Sequence, residues 1–362
     1  MNIGRRMLIY RCGALGDTIV ALPAMLAVRD TFSAVELVLM TANEGDAVVW
    51  TDEVLRDFGW FTRVVTYRAH ELASVRGLLG VLARVRAVRP DVVVYLGSDH
   101  NSGLRVLRDR LFFALAGARR FVAARSAKVT FLGRLRRERR EYPHEVDRLL
   151  DAVRRAGAKV GVARFELPLG PAHAERVSML LAASGLDQAT SPGRPLVAMC
   201  PGSKQSAKRW PLERYAEVGA RLIAEGGVDV AIIGGPDEAR AAEIVARGWP
   251  AGRWTVLAGR LSVLESAEAL RRTALYVGND TGAMHLAAAV GTPCVAVFAA
   301  REPGRSWHPY GEGHVVLRRD EVPCANCYLS ECTIEGLRCL TAITVEDVWA
   351  ACRSKLLRQQ AA

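Results

Sequence analysis

Seven short runs in this chain are apolar at almost every position, and most of them break into a polar turn and then into helical spacing. They lie at 7–12, 35–40, 92–96, 196–200, 228–233, 274–277 and 294–298. A strand that is apolar on both faces has to be covered on both, which is the condition of a parallel sheet between helices. Apolar residues recur every three or four positions at 18–29, 71–88, 145–156, 212–224 and 264–272, and these segments supply the covering helices. The alternation predicts an α/β protein built from doubly wound sheets.

With 362 residues the chain is long enough for two cores. The pattern pauses at 185–195, GLDQATSPGRP, and a fresh strand–helix series begins at Leu196. The expected division is therefore a first Rossmann-like domain over 1–184, a linker over 185–195, and a second Rossmann-like domain over 196–343. Residues 344–362 form a final helix, with Thr344 as its cap, acids at its start and a basic end. In sheets of this kind ligands bind beyond the carboxyl ends of the strands, so two such domains are expected to face a central cleft.

Half of the residues are hydrophobic and 24% are charged, yet no apolar run is long enough to span a bilayer. The opening MNIGRRMLIYRCGALGD reads as a first strand and turn, not as a signal peptide. Eight cysteines in such a chain fit a reducing cytoplasm better than a disulfide framework. The net charge of +11 is concentrated at 119–140, which holds nine Arg/Lys against Glu138 alone. That run is either a solvated face or a patch for an anionic partner, such as a phosphorylated acceptor or a membrane surface. Only Phe121 and Phe131 are aromatic there, and no nucleic-acid signature accompanies it, so nucleic acid is not expected.

Four strand-to-helix junctions carry the chemistry. Cys12-Gly13-Ala14-Leu15-Gly16-Asp17 follows the first strand, but it lacks the third glycine of a dinucleotide fingerprint and the Gly-Lys-Ser/Thr of a P-loop. Asp17 is either a helix cap or a general base at the mouth of a cleft. At 200–215, CPGSKQSAKRWPLERY places Ser203, Lys204, Ser206, Lys208 and Arg209 where a diphosphate could be held, or forms an ordinary basic loop. Gly234-Gly235-Pro236-Asp237-Glu238 could bring an acid to ribose hydroxyls, or simply start a helix. In GNDTGAMHLAAAVGTP, either Asp280 or Thr281 can cap a helix. The N–H groups of Gly282, Ala283 and Met284 are then left for an anion, with His285 one turn on from Thr281.

These segments resemble glycosyltransferase family 9, the ADP-heptose:lipopolysaccharide heptosyltransferases, in motif order and spacing. The matching stretches are GALGDTIVALPAMLAVR, KRWPLERYAEV, IIGGPDE and GNDTGAMHLAAAVGTPCVAVF; the tail CANCYLSECTIEGLRCLTAITVEDVWAA resembles the heptosyltransferase II branch. The resemblance covers nearly the whole chain and is weakest at 40–140. It implies a GT-B fold and inverting transfer from a nucleotide sugar, with ADP-heptose as donor. The implied acceptor is an anionic glycolipid, the inner core of lipopolysaccharide. Work in the cytoplasm follows, with peripheral contact at the inner face of the cytoplasmic membrane.

Residue by residue, the resemblance makes Asp17 the base and places Gly16, Arg119 and Arg120 by the acceptor. It puts Ser203, Lys208, Glu238, Asp280, Thr281, Gly282 and His285 around the donor, with the final helix folding back on the first domain. It implies no required metal or cofactor, since cations and helix dipoles stabilise the leaving diphosphate. Other donors, a secondary-metabolite or protein acceptor, a sugar-nucleotide epimerase and a non-catalytic phosphoglycolipid-binding protein stay open as alternatives. Cys324, Cys327, Cys332 and Cys339 have a spacing that could hold zinc or iron, or could remain free thiols; no metal is assigned to them. Cys12, Cys200, Cys294 and Cys352 read as core residues.

Overall fold

The computed structural model describes residues 5–44, 49–97, 103–123, 143–186, 193–302 and 304–360. Two compact units emerge, Met1–Glu166 and Leu167–Ala362. Each is a wholly parallel sheet clothed by helices, as the continuous apolar runs require.

In the first unit the strands are β1 (Arg6–Tyr10), β2 (Glu36–Ala42), β3 (Arg63–Tyr67), β4 (Val92–Tyr95) and β5 (Arg120–Ala123), in the order β3-β2-β1-β4-β5. The helices are α1 (Leu15–Thr31), α2 (Thr51–Leu55), α3 (Val75–Val88), α4 (Gly103–Leu115) and α5 (Glu145–Ala156). Alternate strand residues Leu8, Val38, Val65, Val93 and Tyr95 meet Val81, Val85 and Val88 of α3 and Phe113 of α4 in one buried cluster. Helices α1 and α5 pack against each other. The strand order reverses between β1 and β4, so the crevice above β1 is where the first unit offers a site.

The second unit has β6 (Leu196–Cys200), β7 (Asp229–Ile232), β8 (Trp254–Val256), β9 (Leu275–Asn279), β10 (Cys294–Phe298) and β11 (Val315–Arg318). Their order, β11-β10-β9-β6-β7-β8, reverses between β6 and β9. Its helices are α6 (Pro171–Ala182), α7 (Leu212–Ala224), α8 (Ala239–Ala246), α9 (Val263–Arg271), α10 (Gly282–Ala289), α11 (Arg338–Thr341) and α12 (Val345–Gln360).

The units divide between Glu166 and Leu167, ahead of the polar stretch taken as the linker, because α6 packs on α9. Arg272 fixes that contact, donating to Ser178 Oγ at 2.7 Å and to the Ala174 carbonyl at 2.8 Å. The final helix α12 belongs to the second unit. Its Val348, Trp349, Cys352 and Leu356 are buried with Trp210, Tyr215 and Leu222 in the core of the second unit. Among the described residues no helix is long and apolar enough to cross a membrane.

Candidate active site

At the carboxyl end of β1 the chain turns through Gly13 into α1, and a Cβ at Gly13 would overlap the Asp17 side chain. That close approach lets Asp17 fold back over the turn, where its Oδ2 accepts from the Ala14 N–H at 3.2 Å. Asp17 thus occupies the third position of the helix, and Gly16 the second. Behind it lies Arg11, which is completely buried. Arg11 Nη2 donates to the Asp17 carbonyl at 2.5 Å and stands 3.4 Å from its Oδ1, while Nη1 donates to the Leu96 carbonyl at 2.8 Å.

The charge balance is completed from α5. Glu145, 1% exposed, lies 3.5 Å from Arg11 and takes two hydrogen bonds from Arg148, at 2.6 and 2.7 Å. Arg148 in turn donates to the Gly97 carbonyl at 2.6 Å. Two buried guanidinium groups and one buried carboxylate therefore tie β1, β4 and α5 together, and the one carboxylate of the group that keeps solvent contact is Asp17, 31% exposed. Glu145 and Arg148 pair locally, three residues apart on α5, but what joins them to Arg11 and Gly97 depends on segments far apart in sequence.

Beyond β2 and β3 opens a polar cavity of about 590 Å³, lined by Asn43, Asp52, Tyr67, Arg68, His70 and Arg84 among others. Asp52 Oδ2 takes a hydrogen bond from Asn43 at 2.9 Å, whereas its buried Oδ1 has no partner among the described residues. Arg119 and Arg120 are not at this end. Arg120 opens β5 in register with Val92, at the amino end of β4, and both arginine N–H groups donate to the Asp91 carbonyl. The structure does not bring them to Asp17, and most of the basic run lies outside the described residues.

In the second unit three junctions converge where the sheet order reverses. After β6, the loop through Gly202 and Ser203 enters a 3-10 turn at Ser206–Lys208, and Lys208 Nζ reaches Asp280 Oδ2 at 2.6 Å. Ser203 is buried, and its carbonyl accepts from Arg209 Nε at 2.6 Å. After β7, the Glu238 carboxylate lies between Gly202 and Gly234, where a Cβ on either glycine would collide with it. Its Oε2 accepts from Gly235 N–H at 2.8 Å. Burial pushes the Glu238 carboxyl above its ordinary value of 4.5, against the pull of that N–H and of Arg209.

After β9, Thr281 is the cap of α10: its Oγ1 accepts from Met284 N–H at 3.4 Å. Asp280 is thereby released to pair with Lys208, and the first-turn N–H groups at Gly282 and Ala283 remain at the positive end of the helix. His285 is buried, its ring edge-on to Trp307 with centroids 6.0 Å apart.

The piece missing from the sequence reading is Asn279. It is fully buried, and its Nδ2 donates to the carbonyls of Pro201 and Gly202 at 2.7 and 3.1 Å. Its Oδ1 accepts from Trp210 N–H at 3.1 Å and Tyr215 OH at 2.8 Å. One amide spends all its hydrogen-bonding capacity on locking the β6 and β9 junctions together. Its place in GNDTG was the available signal. Arg301 supports the same loop from outside, donating to Gln205 Oε1 at 2.6 Å and to the carbonyls of Tyr328 and Leu329.

The four clustered cysteines lie in that supporting segment, and all eight cysteines are free thiols. Burial, then the neighbouring Cys324, Cys332 and Cys327, pushes the Cys339 thiol up, while a backbone hydrogen bond at Ala300 opposes the rise. Among the described residues no group of three or more His, Cys, Asp and Glu side chains is placed to hold a metal ion. Cys200, Cys294 and Cys352 are buried as expected, whereas Cys12 is only half-buried.

Two parallel sheets, each with polar residues gathered at its reversal point, fit the two Rossmann-like halves of a GT-B fold. The glycosyltransferase family 9 (heptosyltransferase) profile matches residues 111–338, and the chain belongs to that family. It is 33% identical over 114 residues to lipooligosaccharide heptosyltransferase 2 of Haemophilus influenzae, covering 30% of this chain and 33% of that protein. It is 27% identical over 215 residues to lipooligosaccharide heptosyltransferase 2 of Haemophilus ducreyi, covering 57% of this chain and 61% of the relative. The E. coli ADP-heptose LPS heptosyltransferase II structure superposes with a TM-score of 0.68 over 98% of this chain and 99% of that one, at 18% identity. The alignments to the two Haemophilus proteins thus span between a third and three fifths of those relatives.

Proposed function

We propose that this protein transfers a heptose from ADP-heptose to a sugar hydroxyl of an anionic glycolipid, the inner core of lipopolysaccharide, with inversion at the anomeric carbon. The observation that carries the reading is the convergence of Lys208, Asp280, Glu238 and the open start of α10 at the reversal point of one sheet. An ammonium group and free helix N–H groups suit a diphosphate, and an acid between two glycines suits ribose hydroxyls. The names of the related heptosyltransferases favour heptose as the sugar and ADP as the carrier.

In this mechanism a carboxylate oxygen of Asp17 takes the proton from the acceptor hydroxyl as that oxygen attacks the anomeric carbon. The carbon–oxygen bond to the diphosphate breaks, and its electron pair stays on the diphosphate oxygen. Lys208 and the N–H groups of Gly282 and Ala283 stabilise the developing charge. Ser203 and Thr281 border the diphosphate, and Asp280 and His285 the transferred sugar. Arg11 and the Ala14 N–H hold the Asp17 carboxylate against rotation. The cavity beside Asp52, Arg68 and Arg84 is the acceptor's place in this scheme, in preference to Arg119 and Arg120, and Gly16, next to Asp17 in the chain, faces the acceptor from the first helical turn after β1. A lipid-anchored acceptor puts the enzyme at a membrane surface, the inner face of the cytoplasmic membrane.

A thermal-shift panel of ADP, UDP, GDP and CDP tests the donor, followed by transfer from ADP-heptose to a purified inner-core acceptor. A nucleotide at about 100 times its dissociation constant adds about 2.7 kcal/mol of stability. Stabilisation by ADP alone, with release of ADP only when acceptor is present, is the expected result. A shift with UDP or GDP in place of ADP overturns the donor, and conversion of the sugar nucleotide without acceptor overturns the transfer.

A further inference from the structure

Fourteen large apolar side chains are exposed on the described surface, and eight of them fall between Leu72 and Leu115. Scattered singly such residues mean little, but a contiguous set marks a contact surface. On α4, Leu104, Leu107, Leu111 and Leu115 are 80, 61, 61 and 57% exposed. Their spacing of three and four residues stacks them in one stripe along the helix. The opposite side of α4 is occupied, because Phe113 is buried against the sheet. The helix is therefore apolar on two faces, and among the described residues only the inner one has a protein partner.

Helix α3 extends the stripe. It contacts α4 and buries Val81, Val85 and Val88 in the same cluster. Its outer residues Val75, Leu78 and Leu79 are 76, 40 and 57% exposed.

The charges around these residues are predominantly positive, since the two acids among them, Glu71 and Asp109, are each paired with an arginine, Arg84 and Arg108. Exposed arginines Arg76, Arg86, Arg105, Arg108 and Arg110 flank the two outer faces. Helix α3 has no acid, and the one acid of α4, Asp109, is taken up by Tyr95 OH at 2.7 Å and Arg108 at 2.9 Å. Two copies of such a face brought together would set arginine against arginine. A bilayer with anionic headgroups instead receives leucines into the acyl boundary and arginines at the phosphates.

We propose that the outer face of α3 and α4 is the surface by which this protein docks on an anionic phospholipid membrane. This deepens the reading of the acceptor as a lipid-anchored sugar, and it can be tested without that acceptor. Flotation of the full chain with vesicles of phosphatidylethanolamine and phosphatidylglycerol, against vesicles of phosphatidylcholine, provides the assay. The full chain floats with the anionic vesicles and much less with the zwitterionic ones. A Leu107→Glu/Leu111→Glu variant stays in the soluble fraction, with an unchanged circular-dichroism melt. An Arg105→Glu/Arg108→Glu variant, which leaves the leucines alone, loses roughly fivefold or more in partition for each reversed charge.

Wild-type protein that does not float, or variants that both float like it, overturn the proposal. So does a wild-type dimer in light scattering that the leucine variant dissociates, because the stripe is then a protein interface. Should the leucine variant fail to fold, the arginine variant decides. Because the vesicles carry neither donor nor acceptor, failure here leaves the transferase reading standing, and the nucleotide panel judges that reading separately.

Discussion

The two units hold their candidate site residues in the same way but with different chemistry. In the first, Asp17 rests on a buried ionic group, Arg11 with Glu145 and Arg148. In the second, the pair Lys208–Asp280 rests on a neutral buried amide, Asn279. A buried ion group is strong only while it is complete, because removing one member leaves the others charged in a poor solvent. An amide that fails leaves dipoles unpaired, which costs less and is more readily repaired by water. The first unit thus sets a buried ion group behind one carboxylate, whereas the second sets an uncharged amide behind its Lys208–Asp280 pair.

The largest effect should follow Glu145→Gln, which leaves two buried guanidinium groups without their shared carboxylate. We expect a loss of about 3–5 kcal/mol in urea unfolding. Asn279→Ala should cost about 1–3 kcal/mol for each buried group that water does not reach. Equal penalties for the two would erase the distinction between them.

Lys208→Ala sharpens the contrast from the ligand side. The loss of one charge-assisted contact should weaken nucleotide binding by about 1.5–3 kcal/mol, a ten- to hundredfold change by calorimetry. Its unfolding midpoint should move far less than that of the Glu145 variant.

The smallest effect concerns pH. The Glu238 carboxyl is raised above 4.5, so it takes up a proton on acidification before an unfolded glutamate would. Nucleotide affinity should fall as pH drops through that raised value, and Glu238→Gln should flatten the profile. Because the folded chain holds this proton more tightly than the unfolded one, its contribution to stability rises as pH falls across the same window. Weaker binding there is accordingly not unfolding, and a profile unchanged by Glu238→Gln would remove Glu238 from the ribose role.

The central strands were legible because they are buried on both faces, and all seven predicted runs are strands. The four that escaped, β3, β5, β8 and β11, are the outer strands of the two sheets. As edge strands they carry residues such as Arg63, Thr66 and Arg120, and their apolar runs are too short to stand out. Helix α4 escaped for the opposite reason: leucines on its outer face blur the helical period that inner residues alone would show. Around the site, short motifs pointed to Asp17, Lys208, Glu238 and Asp280, which lie in the turns that lead from strands into helices. Asn279 had a motif but no apparent task, and Glu145 and Arg148 had neither. The role of Asn279, and the reach of Glu145 to Arg11 and of Arg148 to Gly97, exist only once distant segments are neighbours, and contacts of that kind leave no local pattern.

The central claim is that Asp17 performs the proton transfer while the second unit holds the donor, and Asp17→Asn separates the two. Calorimetric ADP titration and single-turnover transfer on the same preparation measure both at once. The account predicts an ADP dissociation constant equal to that of the wild type and transfer reduced by about 10²–10⁴-fold. Transfer at the wild-type rate, or nucleotide binding lost together with it, would contradict it.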